Sequence, residues 1–439
     1  MNDARPTTTT PRFHHWLAML KVGLIGFGGG SALIPVMEKE LVRPGVLSER
    51  EFVQDTVIAN ITPGALPVKL AALSGTRIGG ARKATIGAMT VALPGALGTV
   101  LLLALFARLG PGAITVIEYA SVGITAFIVY LLGHYCAKVL APGGRARGIP
   151  IGIAVLAFVL SGAGKAAGLG QLIVGLDAAW EVPELSALGL VLLALTAIGI
   201  FSVVQYVRRH HPHEQDEDRR RSGQTRRAVR TVIGFTAIAA VTFTVTAILA
   251  GAGRTLSFLG LILFSTVTSF GGGEAYVGVA DGFFVTSGIV DSSVFYGQIV
   301  PVANALPGPI LVKIATAIAF VQGGWPLAVA AFLVAVGSCS ALAVAVLGGY
   351  DRARNSLLIR NVSSYILPVI CGLLASTAVA MLHSNARIAS EAGVPAAVTV
   401  LATIALAASV PLIHRLRRIS DALLIVAFGA LTLAVLAFL

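Results

Sequence analysis

The 439-residue sequence is short of charge. Asp, Glu, Lys and Arg make up 12% of it, about half the roughly 25% of an ordinary soluble domain. Hydrophobic residues make up 56% and the mean hydropathy is +0.87, a balance that excludes a water-soluble globular fold. Cysteine is scarce too. Cys136, Cys339 and Cys371 are scattered through apolar stretches without a pairing motif, so neither a disulfide framework nor a metal site is expected. Enzyme signatures are missing: no metal-spaced His/Glu pair on a helix, no Gly-x-Ser-x-Gly elbow, no nucleotide-binding Lys-Ser/Thr loop. The expectation is a non-enzyme without cofactor or metal. The alternating ten-residue segments of a membrane β-barrel are also lacking.

Long apolar runs are what the chain has. A bilayer-spanning helix needs about 20 apolar residues, and such runs recur at roughly 14–36, 56–79, 86–107, 113–135, 149–169, 185–207, 231–252, 257–280, 295–320, 326–349, 362–383, 395–413 and 420–438. The fold expected is an all-α polytopic membrane protein with about 13 transmembrane spans. The first run follows a polar, Thr-rich start and lacks a small-residue cleavage pattern, so it reads as a retained helix rather than a signal peptide.

The net charge of +12 points to membrane orientation, not to nucleic acid. Basic clusters fall at Arg5/Arg12/Lys21, Arg82/Lys83, Lys138/Arg145/Arg147, the segment 208–230, Arg352/Arg354/Arg360 and Arg415/Arg417/Arg418. With the N-terminus in the cytoplasm, all of them land inside. The loop with Asp177, Glu181 and Glu184 lands outside. This agrees with the positive-inside rule and predicts an inner-membrane protein whose N-terminus and central loop are cytoplasmic. His210, His211 and His213 in that loop are weak evidence for a metal, and the segment reads as a solvated linker.

One stretch occurs twice. Phe27-Gly28-Gly29-Gly30-Ser31 and the segment from Asn60 through Pro63-Gly64 to Lys69 recur as Phe270-Gly271-Gly272-Gly273-Glu274 and the segment from Asn304 through Pro307-Gly308-Pro309 to Lys313, at offsets of 243 and 244. Gln54 matches Gln298, and Gly79-Gly80 matches Gly323-Gly324. The span at 231–252 has no counterpart in the first half and reverses the polarity of the second. The expectation is two inverted six-span repeats joined by one extra helix, with boundaries at 1–207, 208–230, 231–256 and 257–439. The glycine-rich and Pro-Gly spans are either full spans or re-entrant hairpins; both leave the parity unchanged. Inverted repeats with interrupted helices are the common plan of secondary transporters, with the substrate where the interruptions meet.

The chemistry of the repeat points to an anion. Three glycines loosen a helix, and freed backbone at membrane depth survives only in protein or against a cavity. Pro63-Gly64 and Pro307-Gly308-Pro309 suit the start of a new helix, whose first-turn amides attract anions. Lys69 and Lys313 lie six residues after the Pro-Gly prolines inside apolar runs. A charge there costs about 2.5–3.5 kcal/mol on insertion scales and is commonly functional; two cations suit a dianion. Asn60 and Asn304 either cap the following helix or donate to the bound oxyanion. Glu274 stands where the first copy has Ser31, and either carries a proton or pairs with Lys313. Glu38, Glu40 and Asp55 read as loop or interface charges, Asp281 is unassigned, and Glu118 and His134 read as groups satisfied by neighbours.

These paired motifs resemble the chromate ion transporter family. The resemblance covers both halves, chiefly residues 14–110 and 257–350, and its motif falls on Phe27 to Gly30, Asn60, Pro63 and Gly64, and on Phe270 to Gly273, Asn304 and Pro307 to Pro309. It implies a proton- or gradient-driven anion transporter of the inner membrane, exporting chromate in the best-known members. The first copy departs by reading Pro63-Gly64-Ala65, with a proline at Pro67. Lys69 and Lys313 stand where members more often carry an uncharged amide. The partners expected are an inorganic oxyanion such as chromate or sulfate and the lipid bilayer, with no nucleic acid; a transporter or channel for sulfate or another inorganic anion is the alternative. A homodimer is compatible with the sequence but not required by it.

Overall fold

The computed structural model describes residues 15–26, 33–141, 148–174, 185, 187–208, 222–250, 253–270, 273–349, 357–416 and 419–438. Among them every regular element is helical. The first half runs α1 (His15–Ile25), α2 (Leu33–Leu41), α3 (Glu49–Ile61), α4 (Leu66–Gly79), α5 (Ala81–Leu109), α6 (Pro111–Leu140), α7 (Gly148–Val174) and α8 (Ala187–Arg208). The helix α9 (Ser222–Ala250) follows. The second half runs α10 (Arg254–Thr268), α11 (Gly273–Ala280) extended by a π-helical turn (Asp281–Val285), α12 (Ser292–Val294), a second π-helical turn (Phe295–Ile299), α13 (Val300–Ala305), α14 (Ile310–Gly348), α15 (Leu357–Glu391), α16 (Ala396–Leu416) and α17 (Asp421–Ala437).

Among the described residues seven helices are long and apolar enough to cross a membrane, and several shorter apolar helices accompany them. Length sorts the two kinds. At about 1.5 Å per residue, 20 residues cross the hydrocarbon core and a dozen reach its middle. α5 has 29 residues, whereas α1, α3, α4 and α10 have 11, 13, 14 and 15.

The short helices fold back on one another. Lys21 of α1 reaches Glu40 of α2 at 2.5 Å. Arg77 near the end of α4 holds Asp55, at the middle of α3, at 2.8 Å. Ser265 of α10 and Tyr276 of α11 share a hydrogen bond of 3.0 Å. Gln322 donates to the carbonyl of Ile289, just ahead of α12, at 2.6 Å. Each pair is therefore a helical hairpin with its tip at a glycine-rich or Pro-Gly segment and both feet on one side. α14 is two helices in one, because its backbone leaves helical geometry at Gly323 and Gly324. Its first part is a hairpin arm, and its second part is a long helix. Gly324 turns the chain with φ 66° and ψ −159°, and Gly80 turns it between α4 and α5 with φ 71° and ψ −157°.

The core lies around these hairpins. α14 has 67% of its apolar stretch buried, but α9 only 11%. Ile233, Val241, Ile248 and Leu249 of α9 are exposed, as suits a helix facing hydrocarbon. The long helices approach through small residues, as membrane helices do. A β-carbon on Gly372 of α15 would lie 2.5 Å from the carbonyl oxygen of Ala154 in α7.

Candidate functional site

The two Pro-Gly tips lie against the middle of two long helices. Gly95 is the central residue of α5, and a β-carbon there would lie 2.4 Å from the carbonyl oxygen of Pro307. Cys339, at the matching position of the second half, lies against Gly64; a β-carbon on Gly64 would stand 2.2 Å from its Cβ. Gly64 and Gly308 have φ of +103° and +100°, backbone that a residue with a β-carbon adopts only with strain. Glycine answers the turn at both places and, at Gly64, the close approach as well.

Two backbone hydrogen bonds tie the repeats together. The amide of Gly64 donates to the carbonyl of Ser269 at 2.7 Å, and the amide of Gly308 donates to that of Gly26 at 2.9 Å. Ser269 immediately precedes the second glycine-rich segment, and Gly26 the first. Each Pro-Gly tip is thus pinned to the foot of the other repeat's glycine-rich tip. Such reciprocity is what a two-fold relation between the repeats requires.

The two lysines occupy matching positions as well. Lys69 and Lys313 are 2% and 1% exposed, too deep to reach water by extending their stems. Each ammonium donates at 2.5 Å to a carbonyl seven residues back, Lys69 to Thr62 and Lys313 to Leu306. Thr62 and Leu306 cap the C-termini of α3 and α13. The negative ends of four half-helices are therefore answered: α3 and α13 by ammonium groups, α10 and α1 by glycine amides.

The positive ends are left over. α4 starts at Leu66 and α14 at Ile310, directly after the breaks, and neither has a side-chain cap bond. The first amides of a helix lack partners within it. Those of Leu66, Val68, Ile310 and Leu311 find no acceptor among the described residues. Their residues are buried. Buried amides of this kind, at the positive end of a helix dipole, favour an anion.

The other expected residues divide. Asn60 and Asn304 do not cap the following helices. Each still belongs to the preceding helix, and its amide donates at 2.8 Å to the carbonyl four residues back, Thr56 or Val300. Asn60 is exposed and Asn304 is 8% exposed. Gly273 opens α11. Gly28, Gly29, Gly30, Ser31, Gly271, Gly272 and the side chain of Glu274 lie outside the described residues, as do His210, His211 and His213. Asp55 is not a loop charge. Its side chain is fully buried, paired with Arg77, whose Nη2 also donates to Gln54 at 3.0 Å. Glu40 pairs with Lys21.

A second polar region escaped the sequence reading. Lys165 of α7 forms an ion pair with Asp281, at the start of the first π-helical turn. The pair lines a cavity of about 920 Å³. Glu118 also lines it and accepts a 3.5 Å contact from Gln298. The signal available was a lone lysine in a 27-residue apolar helix. Its partner is 116 residues away, where no spacing rule reaches.

The arrangement is that of a multi-pass membrane transport protein with paired broken helices. Comparison with known proteins gives the family. The chromate transporter family matches the chain twice, over residues 13–267 and 257–434, and the chain belongs to that family. It is 34% identical over 119 residues to the uncharacterized transporter YwrB of Bacillus subtilis (strain 168), covering 26% of this chain and 58% of that one. It is 35% identical over 94 residues to the uncharacterized transporter YwrA of the same organism, covering 21% and 53%. The chain thus spans just over half the length of the curated relatives it matches. No solved structure matches.

Proposed function

We propose that the chain is a secondary active transporter of an inorganic oxyanion, exporting chromate from the cell across the inner membrane. The observation that carries this is the division of labour at the hairpin tips. All four described C-terminal ends are neutralised by lysines or by amides of the other repeat, so the unpaired groups left at the centre are amide donors. A tetrahedral dianion fits that surplus, and the two buried ammonium groups add positive potential in a low-dielectric setting. The proposed site also takes in Gly28, Gly29, Gly30, Ser31, Gly271, Gly272, Gly273 and Glu274 on the strength of the repeat in the sequence. Asn60 and Asn304 flank it.

The topology proposed is an inverted repeat in which hairpins replace four of the thirteen spans. α5 to α8, α9, the second part of α14 and α15 to α17 make nine crossings. The four hairpins enter in pairs, one pair from each side. The proposed repeats are 1–207 and 257–439, with 208–230 a cytoplasmic linker and 231–256 the helix that inverts the second repeat. The feet of the first pair lie beside Arg82 and Lys83, and the positive-inside rule supports a cytoplasmic position for them. Alternating access is then a rocking of one repeat against the other about the pinned tips.

The test is transport in proteoliposomes, with chromate, sulfate and molybdate compared directly. The expected result is saturable uptake of at least one of these, reduced at least tenfold by Lys69→Met or Lys313→Met and partly restored by arginine at the same position. Uptake indifferent to both methionine variants would remove the lysines from the site. Flux that follows the electrochemical gradient of the anion alone, with no coupling ion, would make the protein a channel.

A further inference from the structure

The second repeat has a feature the first lacks. Both of its hairpins carry a π-helical turn, Asp281–Val285 and Phe295–Ile299. The matching arms of the first repeat, α2 and α3, are regular α-helix. A π-turn widens the helix by one residue, re-aims its side chains, and is found mostly at functional sites. Here both turns face the same cavity, one through Asp281 and the other through Tyr296. At the matching positions the first repeat has an exposed Glu38 and a buried Phe52.

The cavity opens toward the feet of the second hairpin pair. Thr286, just after the first π-helical turn, and Ser292, the first residue of α12, line it, with Arg387 and Glu391 at the end of α15. Asp281 lies eight residues beyond Gly273, about 12 Å along the helix from the tip. It is 4% exposed. The buried Tyr296 hydroxyl faces the Asp281 carboxylate, although no hydrogen bond of ordinary geometry closes between them. A water in the cavity would bridge the two.

We propose that this cavity is the external proton entrance of the transporter and that Asp281 is the group that takes the proton. The inference rests on the transporter reading. Hydronium gives its proton to the Asp281 carboxylate, a carboxylic acid and water result, and the ion pair with Lys165 is broken. That pair joins α7 of the first repeat to α11 of the second. Its loss frees the two repeats to move against each other, and Tyr296 holds the water through which the proton arrives. The other charged groups on the cavity wall are Glu118 from α6 and His383, Arg387 and Glu391 from α15. They set the potential at the entrance, and Gln298 holds Glu118 from α12–α13's side of the cavity. A large chamber lined by charges of both signs suits a proton path better than a dianion site.

Two measurements test this. The first is an infrared titration of the detergent-purified full chain, which needs no transport. Acidification brings up a protonated-carboxyl band; Asp281→Asn removes part of it, and Glu118→Gln leaves that part in place. A band unaffected by Asp281→Asn overturns the proposal. The second is in proteoliposomes, as the ratio of chromate flux driven by a pH gradient to chromate exchange at equal pH. The expected ratio falls at least tenfold in Asp281→Asn and in the doubly neutral Lys165→Met/Asp281→Asn, which leaves no buried charge uncompensated. Tyr296→Phe lowers it about threefold. A ratio within twofold of wild type in both Asp281 variants overturns the proposal. If wild type exchanges no oxyanion, the transporter reading fails, and the infrared titration still decides the proton site.

Discussion

The Pro-Gly hairpins of the two repeats agree at their tips and differ at their feet. At the tips, matching residues do matching work: Lys69 and Lys313 bind the carbonyls seven residues back, and Gly64 and Gly308 cross-link the repeats. At the feet, the first hairpin is closed by the buried Asp55–Arg77 pair, whereas the second has Ile299 and Val321 at those positions and opens on a cavity instead. Two copies that share a substrate site must share the tip. They are free to diverge where one moves and the other stays. On the proposed function, the first hairpin is the fixed one and the second is the one that responds.

The largest expected effect tests the fixed foot. Arg77→Met leaves the Asp55 carboxylate buried and alone, and breaking such a pair costs about 3–5 kcal/mol. Replacing both, as Asp55→Leu/Arg77→Met, recovers much of the loss, because the charge and its desolvation cost go together. Thermal unfolding in detergent with the double-mutant cycle checks this. A single variant as stable as wild type would mean that the first foot is not locked.

Next comes the difference between the two tip glycines. Alanine at either position meets the strained backbone, about 1–3 kcal/mol. Gly64→Ala meets Cys339 in addition, because its β-carbon would stand 2.2 Å from the Cys339 Cβ, while Gly308→Ala meets nothing nearer than 3.4 Å. Overpacking adds about 1–3 kcal/mol. Cys339→Gly, which copies Gly95 into the second half, should relieve the added cost of Gly64→Ala and leave the strain. Equal losses at both glycines would break the asymmetry assigned to their neighbours.

The lysines should behave alike. Lys69→Met and Lys313→Met each strand one buried carbonyl, a loss of about 1–3 kcal/mol, partly offset by removing a buried charge. The prediction is two similar shifts in unfolding temperature accompanied by a loss of transport. A transport loss confined to one lysine would show that the symmetry of the frame does not extend to the anion.

The sequence carried the tips well and the feet poorly, for a physical reason. Positive-φ glycines and prolines act on their own stretch of chain, so Gly64, Gly308 and the turns at Gly80 and Gly324 announce themselves. Buried lysines do so too, since their cost must be answered somewhere. What answers them is a different matter. The carbonyls of Thr62 and Leu306 carry no residue signature, because every residue has one. Hydropathy cannot distinguish one span from two half-length arms folded back, so the runs at 56–79 and 295–320 read equally as full spans or as hairpins. Asp55 finds Arg77 22 residues on, and Asp281 finds Lys165 116 residues back. Periodicity reports neighbours on one helix and is silent about partners on another. Asn60 and Asn304 misled for a local reason: three residues before a Pro-Gly break the chain is still helical, and the nearest acceptor is the carbonyl one turn back.

The smallest effect concerns how the Pro-Gly hairpins begin, and it separates the repeats by pH. α3 starts with Ser48, whose hydroxyl accepts from the Glu51 amide at 3.3 Å, and Glu51 reaches back to the Ser48 amide at 3.0 Å. α12 starts with Asp291, whose carboxylate accepts from the Ser293 amide and hydroxyl at 2.7 Å each. Loss of a cap costs about 0.5–2 kcal/mol, so Ser48→Ala and Asp291→Ala should have similar effects at neutral pH. They part on acidification. The bonds from Ser293 hold the Asp291 carboxyl below the usual carboxylate range. A depressed folded-state pKa means that its contribution is present above the unfolded value, about 3.9, and is lost as pH falls through the folded one. The gap between wild type and Asp291→Ala should therefore close toward pH 2, while asparagine at this position caps the helix at any pH and shows no such closing. Melting curves of the two variants across that range decide it. An Asp291→Ala gap that stays constant into strong acid would mean that the second hairpin does not lean on its carboxylate cap.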